Sequence, residues 1–274
     1  MDRIGIESLT AFAISPVDLV HLAADLECRH IAIGPVPISA NPEGYPPWSL
    51  REPVLHRETK AALRERGVSL SLGQGFAIFP GRDVRQAAPD LDLICELGAR
   101  RICSVSLDPD VERTRDQTAA LAEMAAAAGV EVIVEFVPGL AVSSLADALA
   151  LMRHVDRANM RLLIDTMHLV RSGGSADDVA ALDPRLIGYA QLCDAPLVPT
   201  IPDYLTEAVT ERMVPGSGEL PLADIVRALP PDIVIGLEVP LLKRALAGEG
   251  PKDRASDCVR GARAVIAEAG RSAR

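Results

Sequence analysis

The chain has 274 residues, of which 49% are apolar, 24% charged and 3% aromatic, and its 38 acidic and 28 basic side chains give a net charge of −10. This balance argues against a nucleic-acid backbone or an anionic membrane surface as the main partner, because both attract clustered Lys and Arg. The five cysteines lack any CxxC pair, no window approaches 18 apolar residues, and the start, MDRIGIES, carries no export signal, so we expect a cytoplasmic protein with reduced thiols.

Eight short apolar runs alternate with longer stretches of helical period, a pattern typical of parallel strands joined by crossover helices. Runs such as VIV and LLI show no alternation of apolar and polar residues, as expected for strands covered on both faces. The eight predicted strands are RIGIES near residue 4, HIAIG at 30, VSLSLG at 68, RRICSVSL at 100, VEVIVEF at 130, MRLLID at 160, LIGYAQLCD at 186 and DIVIGLEV at 232.

Helix boundaries are visible between these runs. Gly67, Gly98 and Gly129 each follow a helical stretch and precede a strand, which suits the left-handed turn that ends a helix. Three pairs have the spacing of an N-terminal capping box: Ser15 with Asp18, Ser49 with Glu52, and Ser144 with Asp147.

Eight strand-helix units favour a closed (β/α)8 TIM barrel that forms one domain over residues 1–274. An open doubly wound sheet is the alternative, but Gly73-Gln74-Gly75 is followed by Ile78 where a dinucleotide-binding fingerprint needs a third glycine. The segment from Ala195 to Gly218, after the seventh strand, is expected to be an irregular loop.

Polar side chains end four consecutive predicted strands, at the edge where barrel active sites form. VIVE ends at Glu135, LLID at Asp165, GYAQ at Gln191 and IGLE at Glu238. A carboxylate that follows three or four buried residues is costly unless it is paired or binds a cation. Each residue alone could simply mark where its strand meets water or pairs with an arginine. Four at the same relative depth favour ligands of one divalent metal ion.

An oxygen-only ligand set suits Mg²⁺, Mn²⁺ or Co²⁺ better than a sulfur-seeking metal, with Zn²⁺ as an alternative. His168 lies three residues beyond Asp165, where its imidazole could transfer protons to a substrate on the metal. Arg212 precedes Pro215-Gly216-Ser217-Gly218 and is a candidate clamp for a substrate carboxylate, phosphate or oxyanion. The alternative is a solvated arginine beside a tight turn. Asp194 could orient these groups or cap the following loop.

The scarce aromatic residues cluster at or just after predicted strand ends, at the same mouth. Trp48, Phe76 and Tyr204 are the candidates for contact with substrate. They predict a pocket for a ring or another poorly hydrated molecule. The alternative is that apolar loops merely pack over the barrel.

Several motifs of the second half resemble the xylose-isomerase-like barrels of the sugar phosphate isomerase and epimerase superfamily. They are VIVEFVPG, IDTMHLVRSGG, QLCDAP, RMVPGSGELPL and GLEVP. The resemblance implies that Glu135, Asp165, Gln191 and Glu238 bind the metal and that His168 faces the substrate. Many relatives have histidine where this chain has Gln191, and the glutamine version is similar to some bacterial dehydroshikimate dehydratases.

From this resemblance we expect a metal-dependent enzyme that removes a proton from a hydroxy-carbonyl or ring-bearing small molecule through an enolate-like intermediate. Glu135 and Glu238 would act as base and acid, while His168 and Arg212 steady the moving charge. Returning the proton elsewhere gives an isomerase or epimerase, the leading assignment. The alternative is a lyase, either a dehydratase or a retro-aldol enzyme that releases a small aldehyde.

Other classes of function are disfavoured. Lys60, Lys243 and Lys252 all lie outside the predicted strands, which argues against a Schiff-base aldolase. Five scattered histidines and the negative charge argue against the zinc endonucleases of the same superfamily. A further alternative is a non-catalytic barrel in which the predicted metal ligands serve only as packing or binding elements. We expect a small-molecule substrate, no nucleic-acid or membrane partner, and leave open a homo-oligomer.

Overall fold

A computed structural model describes residues 3–271, and within this range eight parallel strands close into a barrel in chain order. Each strand pairs with the next, and the first pairs with the last, so the predicted single (β/α)8 barrel is confirmed. The strands are β1 (Ile4–Glu7), β2 (His30–Ile33), β3 (Ser69–Gly73), β4 (Arg101–Ser104), β5 (Glu131–Val134), β6 (Met160–Asp165), β7 (Ile187–Leu192) and β8 (Ile235–Leu237).

The helices surround the strands, and short additional helices lie in the loops that follow the strands. They are α1 (Pro16–Asp25), α2 (Pro53–Arg66), α3 (Ala88–Glu96), α4 (Val111–Ala127), α5 (Leu145–Val155), α6 (Thr166–Arg171), α7 (Ala176–Ala180), α8 (Tyr204–Thr210), α9 (Leu222–Ala228), α10 (Leu242–Leu246) and α11 (Pro251–Arg271). Two single 3₁₀ turns, Val84–Ala87 and Pro184–Leu186, precede α3 and β7. Within residues 3–271, no helix is long and apolar enough to cross a membrane.

Two apolar layers hold the barrel together. A large outer core fills the space between strands and helices, and a small inner cluster fills the barrel itself. Because both faces of each strand are buried, the strands read as continuous apolar runs. The inner cluster consists of Ala32, Leu72, Cys103, Ile133, Leu163 and Tyr189. This packed interior supports the residues at the carboxyl ends of the strands from below.

The predicted helix boundaries are confirmed at most positions. Ser15 and Ser144 cap α1 and α5 by accepting hydrogen bonds from the backbone N–H three residues on. The prediction for Ser49 is wrong, because α2 begins at Pro53 and its N-cap residue, Glu52, makes no capping bond. Because the proline at the first helical position has no backbone N–H, one fewer donor at the start of α2 needs a partner.

The segment from Ala195 to Gly218 is more ordered than expected. It contains α8, which Asp203 caps, and a short antiparallel bridge joins Asp194 to Met213. The carboxylate of Asp194 accepts backbone N–H bonds from Ala195, Gly216, Gly218 and Leu220. Asp194 therefore takes the loop-capping role that the sequence left open, and the expectation of a wholly irregular loop is wrong.

Candidate active site at the carboxyl end of the barrel

The structure places all four predicted ligands at one end of the barrel. Asp165 and Gln191 are direct partners in the β6–β7 register, and Gln191 is in turn opposite Gly236, two residues before Glu238. Glu135 immediately follows β5 and Glu238 immediately follows β8. Asp165 and Gln191 are only 1% exposed. Residues that are distant in sequence thus meet in a buried layer above the inner core.

Arg212 is a member of this layer rather than a solvated turn residue, being only 4% exposed. Its Nη1 donates to Asp165 Oδ2 at 2.6 Å and its Nη2 lies 3.0 Å from Glu238 Oε2. The Arg212 backbone N–H binds the carbonyl of Pro240 and its Nε binds that of Ala208. Arg212 therefore holds two predicted metal ligands while its own position is fixed by the loop after β8 and by α8.

The charge on Arg212 decides the ionisation of Asp165. Burial by itself would raise the pKa of Asp165, but Arg212 and His168 outweigh burial and lower it. In the same way, burial opposes the charge on Arg212, yet its carboxylate neighbours raise the pKa of the guanidinium well above the ordinary value. Both groups are charged at neutral pH, which is the requirement for a stable buried ion pair.

His168 lies on α6, three residues after Asp165, whose Oδ1 accepts its backbone N–H at 2.8 Å. Its Nδ1 is 2.5 Å from the hydroxyl of Tyr204, and its Nε2 is 3.5 Å from Glu135 Oε1. Burial raises the pKa of the Tyr204 hydroxyl, which therefore stays protonated and can donate to Nδ1. When it does, the proton of a neutral His168 imidazole resides on Nε2, facing Glu135.

Two further polar residues, Glu7 and Gln74, lie in the same layer and were missed from the sequence. Glu7 ends β1 and has no exposed surface, and its Oε2 accepts hydrogen bonds from Gln74 Nε2 at 2.7 Å and from Gln191 Nε2 at 2.8 Å. The signal was available, because IGIE ends in a carboxylate in the same way as VIVE and IGLE. The sequence prediction covers only the ends of the last four strands.

Gly236 makes room for Glu7. A Cβ atom at this position would lie 1.9 Å from Glu7 Oε1 and 2.7 Å from the Tyr189 hydroxyl. A side chain at position 236 would therefore displace the Glu7 carboxyl group. The absence of a side chain at Gly236, in β8, thus allows the carboxyl group at the end of β1 to lie close to β8.

The layer holds more acid than base. Glu7, Glu135, Asp165 and Glu238 contribute four carboxyl groups, and Arg212 is the permanent cation in contact with them among the described residues. Burial, reinforced by Glu238, raises the pKa of Glu7 well above its ordinary value. Burial also raises the pKa of Glu238 to about 7, despite the opposing effect of Arg212. The site is therefore charged unfavourably for protein groups alone and favourably for an added cation.

The predicted ligands have the chemistry that a divalent metal ion requires. Among the described residues, no three His, Cys, Asp or Glu side chains are gathered in a ligand arrangement. Arg212 instead binds two of the predicted ligands, Asp165 and Glu238. Gln191 is not one of those residue types, and its Oε1 is buried without a hydrogen-bond partner. The three predicted carboxylate ligands and the unpartnered amide oxygen of Gln191 are oxygen donors of the kind that hard cations prefer.

The predicted substrate-contacting aromatics are placed differently from one another. Tyr204 contacts His168, as described above. Trp48 is partly buried and donates its indole N–H to the Ala13 carbonyl at 3.0 Å, while Phe76 is packed into the outer core. Two surface clefts of about 440 and 530 Å³ lie elsewhere, against α7 and α9 and against α2. The feature that distinguishes the site is its buried polar groups.

Comparison with known proteins supplies the class. A family model described as a xylose isomerase-like TIM barrel matches residues 20–254. The chain belongs to this family, and the resemblance drawn from the sequence motifs is confirmed.

A curated relative, the 3-dehydroshikimate dehydratase of Pseudomonas aeruginosa, is 30% identical to this chain over 198 residues. The match covers 68% of this chain and 30% of the relative, so the chain spans less than a third of that protein's length. The relative therefore contains a large region to which this chain has no counterpart in the match.

Solved structures share the fold across nearly the whole chain. A crystal structure of the IolI protein with a bound zinc atom gives a TM-score of 0.79 at 18% identity, covering 97% of this chain and 98% of that one. The probable 3-DHS dehydratase AsbF of Bacillus anthracis gives a TM-score of 0.71 at 16% identity, covering 95% and 98%. At these identities the likeness establishes the barrel fold.

Proposed function

We propose that this protein is a divalent-metal-dependent lyase that dehydrates a cyclic hydroxy-carbonyl acid of the dehydroshikimate type. The observation that carries the proposal is the buried oxygen donor set containing Gln191, in a chain 30% identical to a 3-dehydroshikimate dehydratase. Glu135, Asp165, Gln191 and Glu238 would hold the metal. When bound, the metal would supply Lewis-acid stabilisation of the negative charge that develops on the substrate oxygen.

The residues around the donor set are suited to proton transfer next to a carbonyl group. In dehydration, a C–H bond beside the carbonyl breaks, a double bond forms, and the hydroxyl on the next carbon leaves with a proton as water. Glu135 would accept the proton from carbon. Glu135 would then return this proton to the leaving hydroxyl, which departs as water, while the Nε2–H of His168, 3.5 Å from Glu135 Oε1, would stabilise the carboxylate.

Arg212 and Tyr204 would keep these groups in their working positions. Arg212 holds Asp165 and Glu238 through charged hydrogen bonds, which are stronger than neutral ones. Tyr204 lies against His168 Nδ1 and, as the donor, would fix the tautomer that has its proton on Nε2. Both contacts limit rotation of the reacting groups and so favour a single reactive geometry.

An isomerase or epimerase is the second candidate. The two glutamates have different surroundings: Glu135 contacts His168 and Cys103, whereas Glu238 contacts Arg212. Two separate carboxylates would allow a proton to be removed on one side of a substrate and returned on the other. The same residues would then interconvert isomers without loss of water.

One experiment distinguishes the two candidates. The Mn²⁺-loaded protein is incubated with 3-dehydroshikimate in D₂O, and the products are followed by ultraviolet absorbance and NMR. A dehydratase releases water and yields an aromatic acid, whereas deuterium uptake without net dehydration would favour the isomerase. A panel of ketose sugars under the same conditions is the matched comparison. Turnover of the sugars alone would contradict the proposed lyase activity.

A further inference from the structure

We propose that Glu7 is a positioning residue that orients the amide group of Gln191, so that Oε1 rather than Nε2 is presented to a bound metal. The inference rests on the proposed function, because it assigns a role within the same metal site. Its basis is a chain of side-chain hydrogen bonds among buried residues.

The orientation of the Gln191 amide is defined by its contacts. Its Nε2 donates to Glu7 Oε2 at 2.8 Å, and its Oε1 has no hydrogen-bond partner although it is buried. A flipped amide would set Oε1 against a carboxylate oxygen at the same distance, which is a repulsive contact. The contact with Glu7 therefore selects the orientation that leaves Oε1 available.

Gln74 holds Glu7 from the other side. Ser8 donates to Gln74 Oε1 at 2.8 Å, which directs Gln74 Nε2 to Glu7 Oε2 at 2.7 Å. Glu7 Oε2 thus accepts two amide donors at once. Because that oxygen is already engaged by two donors, a proton on Glu7 would reside on Oε1, and the orientation of Gln191 is the same for either form of Glu7.

A glutamine ligand needs this kind of support. The two ends of its amide have almost the same shape, but only the oxygen can bind a cation. A histidine ligand is commonly fixed by a hydrogen-bond acceptor on its second ring nitrogen. Glu7 would do for the amide of Gln191 what such an acceptor does for imidazole. The Glu7–Gln191 pair is thus expected to act as one unit.

A metal-binding titration tests this unit. Dissociation constants for Mn²⁺ are measured by electron paramagnetic resonance of the free ion, and thermal unfolding without metal is measured in parallel. The variants are Glu7→Met, which keeps the volume but removes the acceptor, Glu7→Gln, Gln191→Ala and the double variant Glu7→Met/Gln191→Ala. Asn159→Ala is the control, because Asn159 bridges the carbonyls of Ala122 and Val130, residues of α4 and of the turn before β5, away from the ligands.

We expect Glu7→Met to weaken Mn²⁺ binding about 10- to 100-fold, the usual effect of losing a residue that orients a ligand. Glu7→Gln keeps one acceptor oxygen and should show a smaller loss, of about fivefold. The double variant should bind no more weakly than Gln191→Ala alone. Asn159→Ala should lower the unfolding temperature without changing the affinity.

Two results would overturn the inference. One is an affinity within twofold of wild type in Glu7→Met or, if that variant does not fold, in Glu7→Gln. The other is full additivity of the two losses in the double variant, which would mean that Glu7 acts independently of Gln191. In both cases the metal site and the proposed function would stand. If the wild-type protein binds no Mn²⁺, both the metal-dependent function and the role of Glu7 are overturned.

Discussion

Strand β5 has a glutamate at each end, and the two differ in almost every property. Glu131 begins the strand, its side chain is 32% exposed, and it lies 3.2 Å from both Arg101 and Arg161. Glu135 follows the strand, its side chain is 13% exposed, and it contacts His168 and Cys103. Glu131 therefore belongs to a solvated ion-pair network in which two arginines surround one carboxylate.

The contrast extends to the two ends of the barrel. At the amino end, charges are paired in the presence of water, where each pair contributes little free energy. At the carboxyl end, four carboxyl groups and one guanidinium share a buried layer in which unpaired charge is costly. An excess of buried carboxyl groups does not stabilise a fold. The carboxyl end of the barrel is therefore the candidate for the site of chemistry.

The largest expected difference between the two ends is catalytic. We expect Glu135→Gln to lower kcat at least 10³-fold, because the variant loses the base that accepts the proton from carbon. Glu131→Gln should leave kcat within about twofold, since it changes only an exposed network. Steady-state kinetics of both variants at saturating Mn²⁺ measures this. Equal losses would remove the distinction between the two ends.

Arginine pairs at the two ends should differ in their effect on stability. Arg212→Met leaves Asp165 and Glu238 buried without their cation, and we expect a loss of about 3–5 kcal/mol in the free energy of unfolding. Arg101→Met should cost less than about 1 kcal/mol. Urea unfolding without metal provides both values. Added Mn²⁺ should recover part of the loss in Arg212→Met, and no recovery would argue against a cation site at these carboxylates.

The affinity for metal should depend on pH. The pKa of Glu238 is raised to about 7, so below that pH a proton competes with the cation for this carboxylate. We expect Mn²⁺ affinity to fall about tenfold per pH unit below about pH 7 and to level off above it. Titrations at pH 5.5 to 8.5 would show this dependence. An Mn²⁺ affinity that stays the same over that range would contradict it.

Without metal the same group has the opposite effect on the fold. A raised pKa favours the protonated form of Glu238 in the folded chain. Its contribution to stability is fully present below the ordinary value of 4.5 and is lost as the pH rises through about 7. Metal binding should therefore stabilise the protein most above pH 7.

The smallest of these effects concerns Tyr204. Tyr204→Phe removes the hydroxyl that contacts His168 Nδ1, and with it the preference for one imidazole tautomer. We expect kcat to fall about tenfold, with a shifted limb in its pH profile and little change in Mn²⁺ affinity. A loss of metal affinity equal to the loss in kcat would show instead that Tyr204 supports the ligands.

Much of this molecule could be predicted from local patterns. All eight strands and the caps by Ser15 and Ser144 follow from apolar runs and capping residues that are close together in sequence. A polar residue at the end of a buried strand also places Glu135 and Glu238 at the carboxyl end of a barrel. Such signals depend on a few neighbouring residues, so they can be recognised in the sequence without knowledge of the fold.

The partnerships within the site could not be predicted in this way. The sequence predicts Arg212 as a clamp for substrate, but the folded chain places it between Asp165 and Glu238. Glu7 meets Gln191 across 184 positions of sequence. Closure of the barrel brings the first and last strands together and so decides these contacts. Sequence alone determined which strands carry polar ends, because strand period and burial are local properties. Tertiary structure decided which of those ends touch, because barrel closure sets the distances between remote side chains.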